Sequence, residues 1–343
     1  MPPPPDPLMR SRRRTFASLT IVCVLAAVGF VTWAAIRHPG SGTQGPRASA
    51  RQAGEPASGV GPRIVFQHVA RGEDYAHVAV TGTAGGTSRR ITGLVCERIH
   101  MTEGRGLCLM SRTGLTGAGF TAMVVDEQLH IVRKVKLHGI LTRARVSPDG
   151  RYGAATGFVV GHSYADAGEF LTQTTLIDME TGAQLADLED FAVTRDGRPV
   201  EAVDRNFWGV TFAADGDTFY ATMRTRGRTW LIEGTVSSRR ARTLRENVEC
   251  PSLSPDGTRI AYKRRVDDGS VIWRLHVLDL RTMQDAPLTE ARMVDDQAEW
   301  LDDDTILYGL EGDVWAVQAD GAGAPRRLLQ NALSPAVIHA AAS

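Results

Sequence analysis

The stretch Gly161-His162-Ser163-Tyr164-Ala165 contains the residue types of a serine nucleophile motif. It nearly matches G-x-S-x-G, and Ala165 stands where the second glycine belongs. That motif needs a sharp turn between a strand and a helix of an α/β sheet. The surrounding sequence predicts strands on both sides, so an ordinary polar loop is the better interpretation. Since the nine histidines are scattered without a diagnostic spacing, we favour a non-enzymatic function and keep a hydrolase or lyase as the alternative.

Acidic residues near the C-terminus have side chains of the kind that bind calcium. Asp302-Asp303-Asp304 forms a triplet, and Asp295, Asp296 and Glu299 are close to it in the sequence. Their spacing does not match a calcium-binding loop, so a solvated acidic turn is the better interpretation. The chain also has no C-x-x-C sequence and no Cys/His cluster with zinc spacing. We therefore predict no metal site and no cofactor.

The elements that must position these residues are short repeated strands. Ser254-Pro255-Asp256-Gly257 is a turn sequence, because Pro presets φ, Asp accepts local hydrogen bonds and Gly adopts a positive φ. Related turns with strand-like flanks occur at residues 102–104, 147–150, 213–216 and 301–304. Repeats of roughly 40–50 residues made of short strands are typical of a β-propeller.

The two ends of the repeat region predict how the ring closes. The region opens at Arg63 with a sequence typical of the second strand of a blade. It ends with residues 333–339, which resemble the beginning of the repeat at residues 247–253. The C-terminal strand would then complete blade one and seal an all-β, six-bladed propeller over residues 62–339.

These segments resemble the TolB-like propeller repeat, most clearly in residues 251–262 and 313–321. The resemblance covers about residues 62–339 and implies a TolB-like six-bladed propeller. The same repeat occurs in the propellers of prolyl-oligopeptidase-like enzymes, so it specifies the fold better than the function. The resemblance implies an interaction role in the cell envelope. We expect the propeller to bind a protein, peptide or other envelope component. An envelope sensor that acts through a partner is a further alternative.

The expected binding surface is the face of the ring where long loops surround the mouth of the central channel. Basic residues follow the second strands of blades four and five, a polar and aromatic stretch enters blade four, and an acidic pair enters blade six. The basic residues fit either a solvated face or an anionic partner. The candidate binding residues are Arg205, Asn206, Trp208, Arg224, Lys263, Arg264, Asp295 and Asp296.

Two cysteines flank the turn of blade two. Outside the cytoplasm, a disulfide between Cys96 and Cys108 is plausible. Because disulfide geometry is restrictive, two buried thiols fit the sequence equally well. Cys250 has a similar place in blade five, where a structural role is the simpler interpretation.

The N-terminal sequence predicts a membrane segment. A tail rich in Pro and Arg, residues 1–14, precedes 22 residues without Asp, Glu, Lys or Arg, from Thr15 to Ile36. At about 1.5 Å per residue, a helix of this length spans a hydrocarbon core of about 30 Å. The arginines predict a cytoplasmic N-terminus and an exported propeller, joined by a flexible linker at residues 37–61. A cleaved twin-arginine-like signal and a secreted protein are the alternative.

The overall composition narrows the class of partner. The formal net charge is zero, which gives no reason to expect nucleic-acid binding. We expect a monomer that binds a protein or peptide. The excess of Arg over Lys, with abundant Ala and Gly, is typical of a high-GC, actinobacterial genome.

Overall fold

The structure, a computed structural model, describes residues 61–86, 88–114, 117–159, 171–266 and 272–339. Within these residues the strands form six sheets, each of four strands or more. The sheets are the blades of a ring, and the innermost strands of neighbouring blades contact one another around a central channel. The all-β, six-bladed propeller predicted from the sequence is confirmed.

Blades one to three are regular four-stranded sheets, and each strand pairs antiparallel with its neighbours. Blade one consists of β26, β1, β2 and β3, counted outward from the channel, and blades two and three follow in chain order. Their strands are β1 (Arg63–His68), β2 (His77–Gly82), β3 (Arg90–Val95), β4 (Arg98–Met101), β5 (Arg105–Gly114), β6 (Gly117–Asp126), β7 (Ile131–Leu137), β8 (Ile140–Val146), β9 (Tyr152–Phe158), β10 (Thr172–Asp178), β11 (Gln184–Asp187) and β26 (Ala332–Ile338).

Blades four to six continue the ring, and blade four carries two extra strands. A short 3-10 helix, Leu188–Asp190, leads from blade three to these extra strands. The strands are β12 (Ala192–Arg195), β13 (Arg198–Pro199), β14 (Asn206–Phe212), β15 (Thr218–Thr225), β16 (Arg228–Thr235), β17 (Arg240–Glu246), β18 (Glu249–Leu253), β19 (Arg259–Arg265), β20 (Trp273–Asp279), β21 (Asp285–Pro287), β22 (Glu299–Trp300), β23 (Thr305–Leu310), β24 (Asp313–Gln318) and β25 (Arg326–Leu329).

The turn between β18 and β19 shows why the Ser-Pro-Asp-Gly sequence recurs. The Ser254 hydroxyl donates to the Asp256 carboxylate at 2.6 Å and accepts from the Arg259 amide at 3.0 Å. Gly257 has a φ of +73°, which a side chain would strain. The Asp256 amide donates to Asp303 of the next blade at 3.0 Å, so the turns also join neighbouring blades.

The ring is closed between β26 and β1. These strands pair antiparallel, and Ile64 lies opposite Val337 while Val65 lies opposite Ala336. Because β26 is the innermost strand of blade one, the two ends of the propeller share one sheet. This arrangement leaves neither end of the ring as an unpaired inner edge.

The hydrophobic core is divided among the interfaces between blades. Six clusters of buried side chains are described, one between each pair of neighbouring blades around the ring. The cluster between blades six and one contains Phe66, Leu307 and Val337, and the cluster between blades four and five contains Tyr220 and Tyr262. The blades are therefore stabilised mainly by packing face to face.

The sequence did not predict the extra hairpin of blade four. Strand β12 pairs in parallel with β17, and Ala192 lies opposite Arg240. Strand β13 then forms the outer edge of the sheet and contains Pro199. Because Pro has no amide hydrogen to donate, this edge resists the addition of another strand.

The predicted N-terminal segments lie outside the described residues. This applies to the tail, to the apolar stretch from Thr15 to Ile36 and to residues 37–60 of the linker. Within the described part of the chain, no helix has the length and apolar character needed to cross a bilayer. The stretch from Gly161 to Ala165 is also outside the described residues.

Candidate functional site

The two ends of the channel differ. The end we call the turn face carries the turns between the first and second strands of blades two to six, at residues 102–104, 147–150, 213–217, 254–258 and 301–304. The opposite end, the loop face, carries the connections from one blade to the next. All eight candidate binding residues were assigned from the sequence to the loop face or its channel mouth.

At the loop face the structure brings Lys263 and Asp295 together. The Lys263 ammonium is 2.6 Å from the Asp295 carboxylate and 4.6 Å from the centre of the Trp273 ring, and Lys263 is only 3% exposed. Burial raises the pKa of Asp295, but the neighbouring cations Lys263, Arg143 and Arg98 together outweigh this effect and hold that pKa below its usual value. The lysine is therefore buried and neutralised by a neighbour within the fold.

Adjacent basic residues on β19 reach different partners, because successive side chains of a strand point to opposite faces. Arg264 binds Asp285 at 2.6 Å. Tyr262 and His276 also contact this carboxylate, each at 2.9 Å. The basic stretch of β19 does not form one continuous surface, since Lys263 is buried against Asp295 and Arg264 belongs to a separate network. Their role in binding stays a prediction.

The candidates in blade four have contacts within the fold. Arg205 donates to the carbonyl oxygens of Phe191 and Glu189 at 3.0 and 3.1 Å, which fixes the connection from blade three. The Asn206 side chain accepts from the Thr172 amide at 3.0 Å. Trp208 is 7% exposed. Their role in binding stays a prediction, but the structure gives each of them a place in the packing of blade four.

The remaining two candidates are also integrated into strands or turns. Arg224 is half-buried on β15, opposite Asn206. The Asp296 carboxylate accepts from the Gly309 amide and from its neighbour Gln297, both at 3.0 Å. Asp296 lines a small void, which Arg143 also lines.

A larger cavity opens at the turn face, and none of the eight candidates lines it. Its volume is about 430 Å³. The innermost strands of all six blades contribute to it, so the cavity exists only in the closed ring. Its wall is largely apolar, and the wall and rim include Val146, Pro148, Phe212, Ala214, Leu253 and Pro255.

The floor of this cavity is a buried ionic cluster of Arg145, Glu299 and His100. Arg145 donates to the Glu299 carboxylate from across the channel and to the Ala298 carbonyl oxygen at 3.1 Å. The other Glu299 oxygen accepts from the Val337 amide at 3.1 Å and is 3.5 Å from His100 Nε2. The cluster thus links strands of blades one, two, three and six.

The protonation states of the cluster follow from burial and charge. Burial alone raises the pKa of Glu299, but Arg145, His100 and the Val337 amide together outweigh it, and the pKa falls to about 2. Burial lowers the pKa of His100, and Arg145 lowers it further. A neutral His100 agrees with the Val146 amide donating to its Nδ1 at 3.1 Å. The floor therefore holds one guanidinium, one carboxylate and a neutral imidazole.

The hydrogen bonding of the floor argues against acid–base catalysis there. Both nitrogens of His100 and both oxygens of Glu299 already have partners within the protein. A general base must be free to reach a substrate proton. Among the described residues, no three His, Cys, Asp or Glu side chains are placed to hold a metal ion together.

The turns around the mouth of the cavity are acidic, and one of their carboxylates, that of Glu103, lines the cavity itself. The turns that surround it, with their flanking residues 105, 151 and 259, carry eight Asp or Glu residues and three Arg. Burial raises the pKa of Asp256, but hydrogen bonds from Ser254 and Thr258 outweigh it and hold that pKa below its usual value. Turns of this kind favour Asp, because its side chain accepts hydrogen bonds from the turn backbone. Since such turns recur around the ring, their carboxylates gather at this end of the channel.

The structure joins Cys96 and Cys108 in a disulfide, with their Cα atoms 5.5 Å apart. Cys108 lies on β5, and Cys96 lies two residues before β4 rather than on it. Both are fully buried in the cluster between blades one and two. The sequence allows either a disulfide or two buried thiols, and the structure has the disulfide. Cys250 is buried and unbridged.

Comparison with known proteins identifies the fold. No protein family model matches the sequence, and no curated protein matches it. Among solved structures, TolB from Acinetobacter baumannii superposes with a TM-score of 0.55 at 14% identity, over 81% of this chain and 66% of that one. The fold is a TolB-like six-bladed β-propeller.

A second solved structure supports the same fold. A chain of a nidogen/laminin complex superposes with a TM-score of 0.53 at 9% identity, over 82% of this chain and 99% of that one. A Mycobacterium tuberculosis puromycin-hydrolyzing peptidase gives a TM-score of 0.49 at 13% identity, and this chain spans 44% of its length. At such identities the likeness concerns the fold and not the function.

Proposed function

We propose that the protein is a membrane-anchored, non-enzymatic binding protein of the cell envelope, which holds a segment of a protein or peptide in the turn-face cavity. The observation that carries this proposal is a cavity of about 430 Å³ with an apolar wall, built by all six blades. Such a volume lies within the range of ordinary ligand pockets. Both nitrogens of His100 and both oxygens of Glu299 on the floor already have partners within the protein, which favours binding over catalysis.

The charge of the rim indicates the kind of segment. Carboxylates outnumber guanidinium groups on the surrounding turns, so the rim attracts a cationic segment and repels an acidic one. The wall formed by Phe212, Leu253 and Val146 suits an apolar side chain. A partner segment with Arg or Lys beside an apolar residue therefore fits both surfaces.

A substitution that fills the cavity tests this function. Ala214 is exposed at the rim, and Ala214→Trp should narrow the entrance without disturbing the core. We expect a random peptide library displayed on phage to enrich basic, partly apolar sequences on the wild-type protein. Affinity for an enriched peptide should fall at least about tenfold in the variant, which equals about 1.4 kcal/mol.

The matched control is Ala322→Trp, an exposed alanine in an outer turn of blade six. It should bind the enriched peptides as the wild type does. If the same peptides are enriched equally on Ala214→Trp and on the wild type, or if the wild type enriches acidic peptides, the turn-face cavity is not the binding site.

Membrane anchoring is the second part of the proposed function. It is supported by the uncharged stretch from Thr15 to Ile36 and by the arginines before it. The disulfide between Cys96 and Cys108 agrees with an oxidising compartment outside the cytoplasm.

A reporter fusion checks this topology. A reporter that is active only after export should be active when fused at residue 60, because the positive charges hold the N-terminus in the cytoplasm. A cytoplasm-dependent reporter at the same site should be silent. Replacing the four arginines between residues 10 and 14 by glutamine is the control and should weaken the orientation. Activity of the cytoplasmic reporter in the unaltered protein would contradict the topology.

A further inference from the structure

A small void lies in the channel between the floor of the turn-face cavity and the loop face. Its volume is about 20 Å³, which is room for one water molecule or one monatomic ion. Its charged and polar lining comes from blades one, two, three and six. Besides His100 and Gln297, these residues are Arg98, Arg143, Arg145, Asp296, Glu299 and Ser334. We call this space the waist void.

Two buried donors beside the waist void have no partner. The Nε–H groups of Arg143 and Arg145 are shielded from solvent and make no hydrogen bond to any described residue. Arg145 is 7% exposed, and its other two nitrogens bind Glu299 and the Ala298 carbonyl oxygen. Arg143 donates to the Thr142 carbonyl oxygen and lies 3.9 Å from Asp295. Buried donors without an acceptor are costly, so an occupant that accepts hydrogen bonds is favoured.

The lining charges determine the sign of that occupant. Three guanidinium groups line the void, from Arg98, Arg143 and Arg145, against the two carboxylates of Asp296 and Glu299. Both carboxylates already accept from backbone amides, of Gly309 and Val337 respectively. His100 is neutral because its pKa is lowered by burial. Asp295 beside Arg143 is already paired with Lys263 at 2.6 Å, so the lining keeps an excess of one positive charge and an excess of donors.

We propose that the waist void is a site for one small monovalent anion, with chloride as its physiological occupant, held by Arg143 and Arg145. A chloride ion only accepts hydrogen bonds and cancels the excess charge. A water molecule can also accept hydrogen bonds, but it is neutral and leaves the excess positive charge uncompensated. By joining strands of four blades, the anion would stabilise the closed ring.

Thermal unfolding of the full chain at constant ionic strength tests the site. Sodium chloride replaces sodium methanesulfonate, whose anion is too large for the void. Chloride at ten times its dissociation constant raises the folding equilibrium constant about 11-fold, which for a domain of this size raises Tm by about 3 °C. The rise should saturate, and Arg143→Gln should abolish it. Arg151→Gln, at an exposed arginine of the turn face, should keep it.

A crystal grown in bromide gives an independent readout if Arg143→Gln does not fold. An anomalous peak between Arg143 and Arg145 is expected. If Tm keeps rising with chloride concentration without saturating, and rises equally in wild type and Arg143→Gln, the effect is a general salt effect and the proposal is overturned. Electron density for a water molecule alone, without anomalous signal, would also overturn it.

Discussion

A chain that ends at Gln330 should fail to form a stable propeller. The truncation removes β26, which pairs with β1 and provides the innermost strand of blade one. Each lost hydrogen bond costs about 1 kcal/mol net. Val337 and Ile338, at 3% and 7% exposure, contribute about 1.5–3 kcal/mol each through burial. Since a domain is stable by only about 5–15 kcal/mol, the sum is enough to unfold the ring.

Solubility and thermal unfolding check this expectation. The truncated protein should aggregate or lack a cooperative transition, because the inner edge of β1 is left unpaired. The control is a chain without residues 1–60, which keeps every described strand and should melt as the full chain does. If the C-terminal truncation melts within a few degrees of the intact protein, the closure by β26 does not hold the ring together.

Glu299→Gln should strongly destabilise the propeller. It leaves the buried Arg145 guanidinium without its counter-ion, and removing one partner of such a pair typically costs about 3–5 kcal/mol. Urea unfolding measures the loss. The control is Glu246→Gln, which breaks an exposed ion pair with Arg228 and should cost less than about 1 kcal/mol. A double variant with Arg145→Met should lose less than the two single losses combined.

The destabilisation by Glu299→Gln should depend on pH. The pKa of Glu299 falls from 4.5 to about 2 on folding, so its contribution to stability is present above pH 4.5. It is lost as the pH falls from 4.5 to 2. The difference in free energy of unfolding between wild type and Glu299→Gln should therefore shrink across this range. A difference that stays constant down to pH 2 would contradict the ionic role of Glu299.

The turns and the ring could be predicted because their chemistry is local. Asp256 and Gly257 act within a few residues of Ser254, so the sequence shows the turn directly. The closing strand was recognised because residues 333–339 resemble an inner strand of the same repeat. The hairpin of β12 and β13 was missed, since its parallel pairing with β17 depends on tertiary contacts that the strand pattern does not encode.

The candidate site could not be predicted in the same way. Arg145 and Glu299 are 154 residues apart in the chain, and His100 comes from yet another blade. Each is a single polar residue on a short strand, and only ring closure brings them together. A signal was nevertheless present, because a charged residue on an innermost strand must either meet a partner or face the channel. Lys263 is a binding candidate in the sequence because it lies in a basic run, but in the structure it is buried against Asp295.

Photo-crosslinking in intact cells tests the central proposal, that a partner segment enters the turn-face cavity. A benzophenone amino acid replaces Ala214 at the cavity rim, Ala322 in an outer turn, or Arg228 at the loop face, one position at a time. We predict a covalent adduct to one partner from position 214 and none from position 322. Adducts from position 228 with none from position 214 would place binding at the loop face and contradict the proposed site.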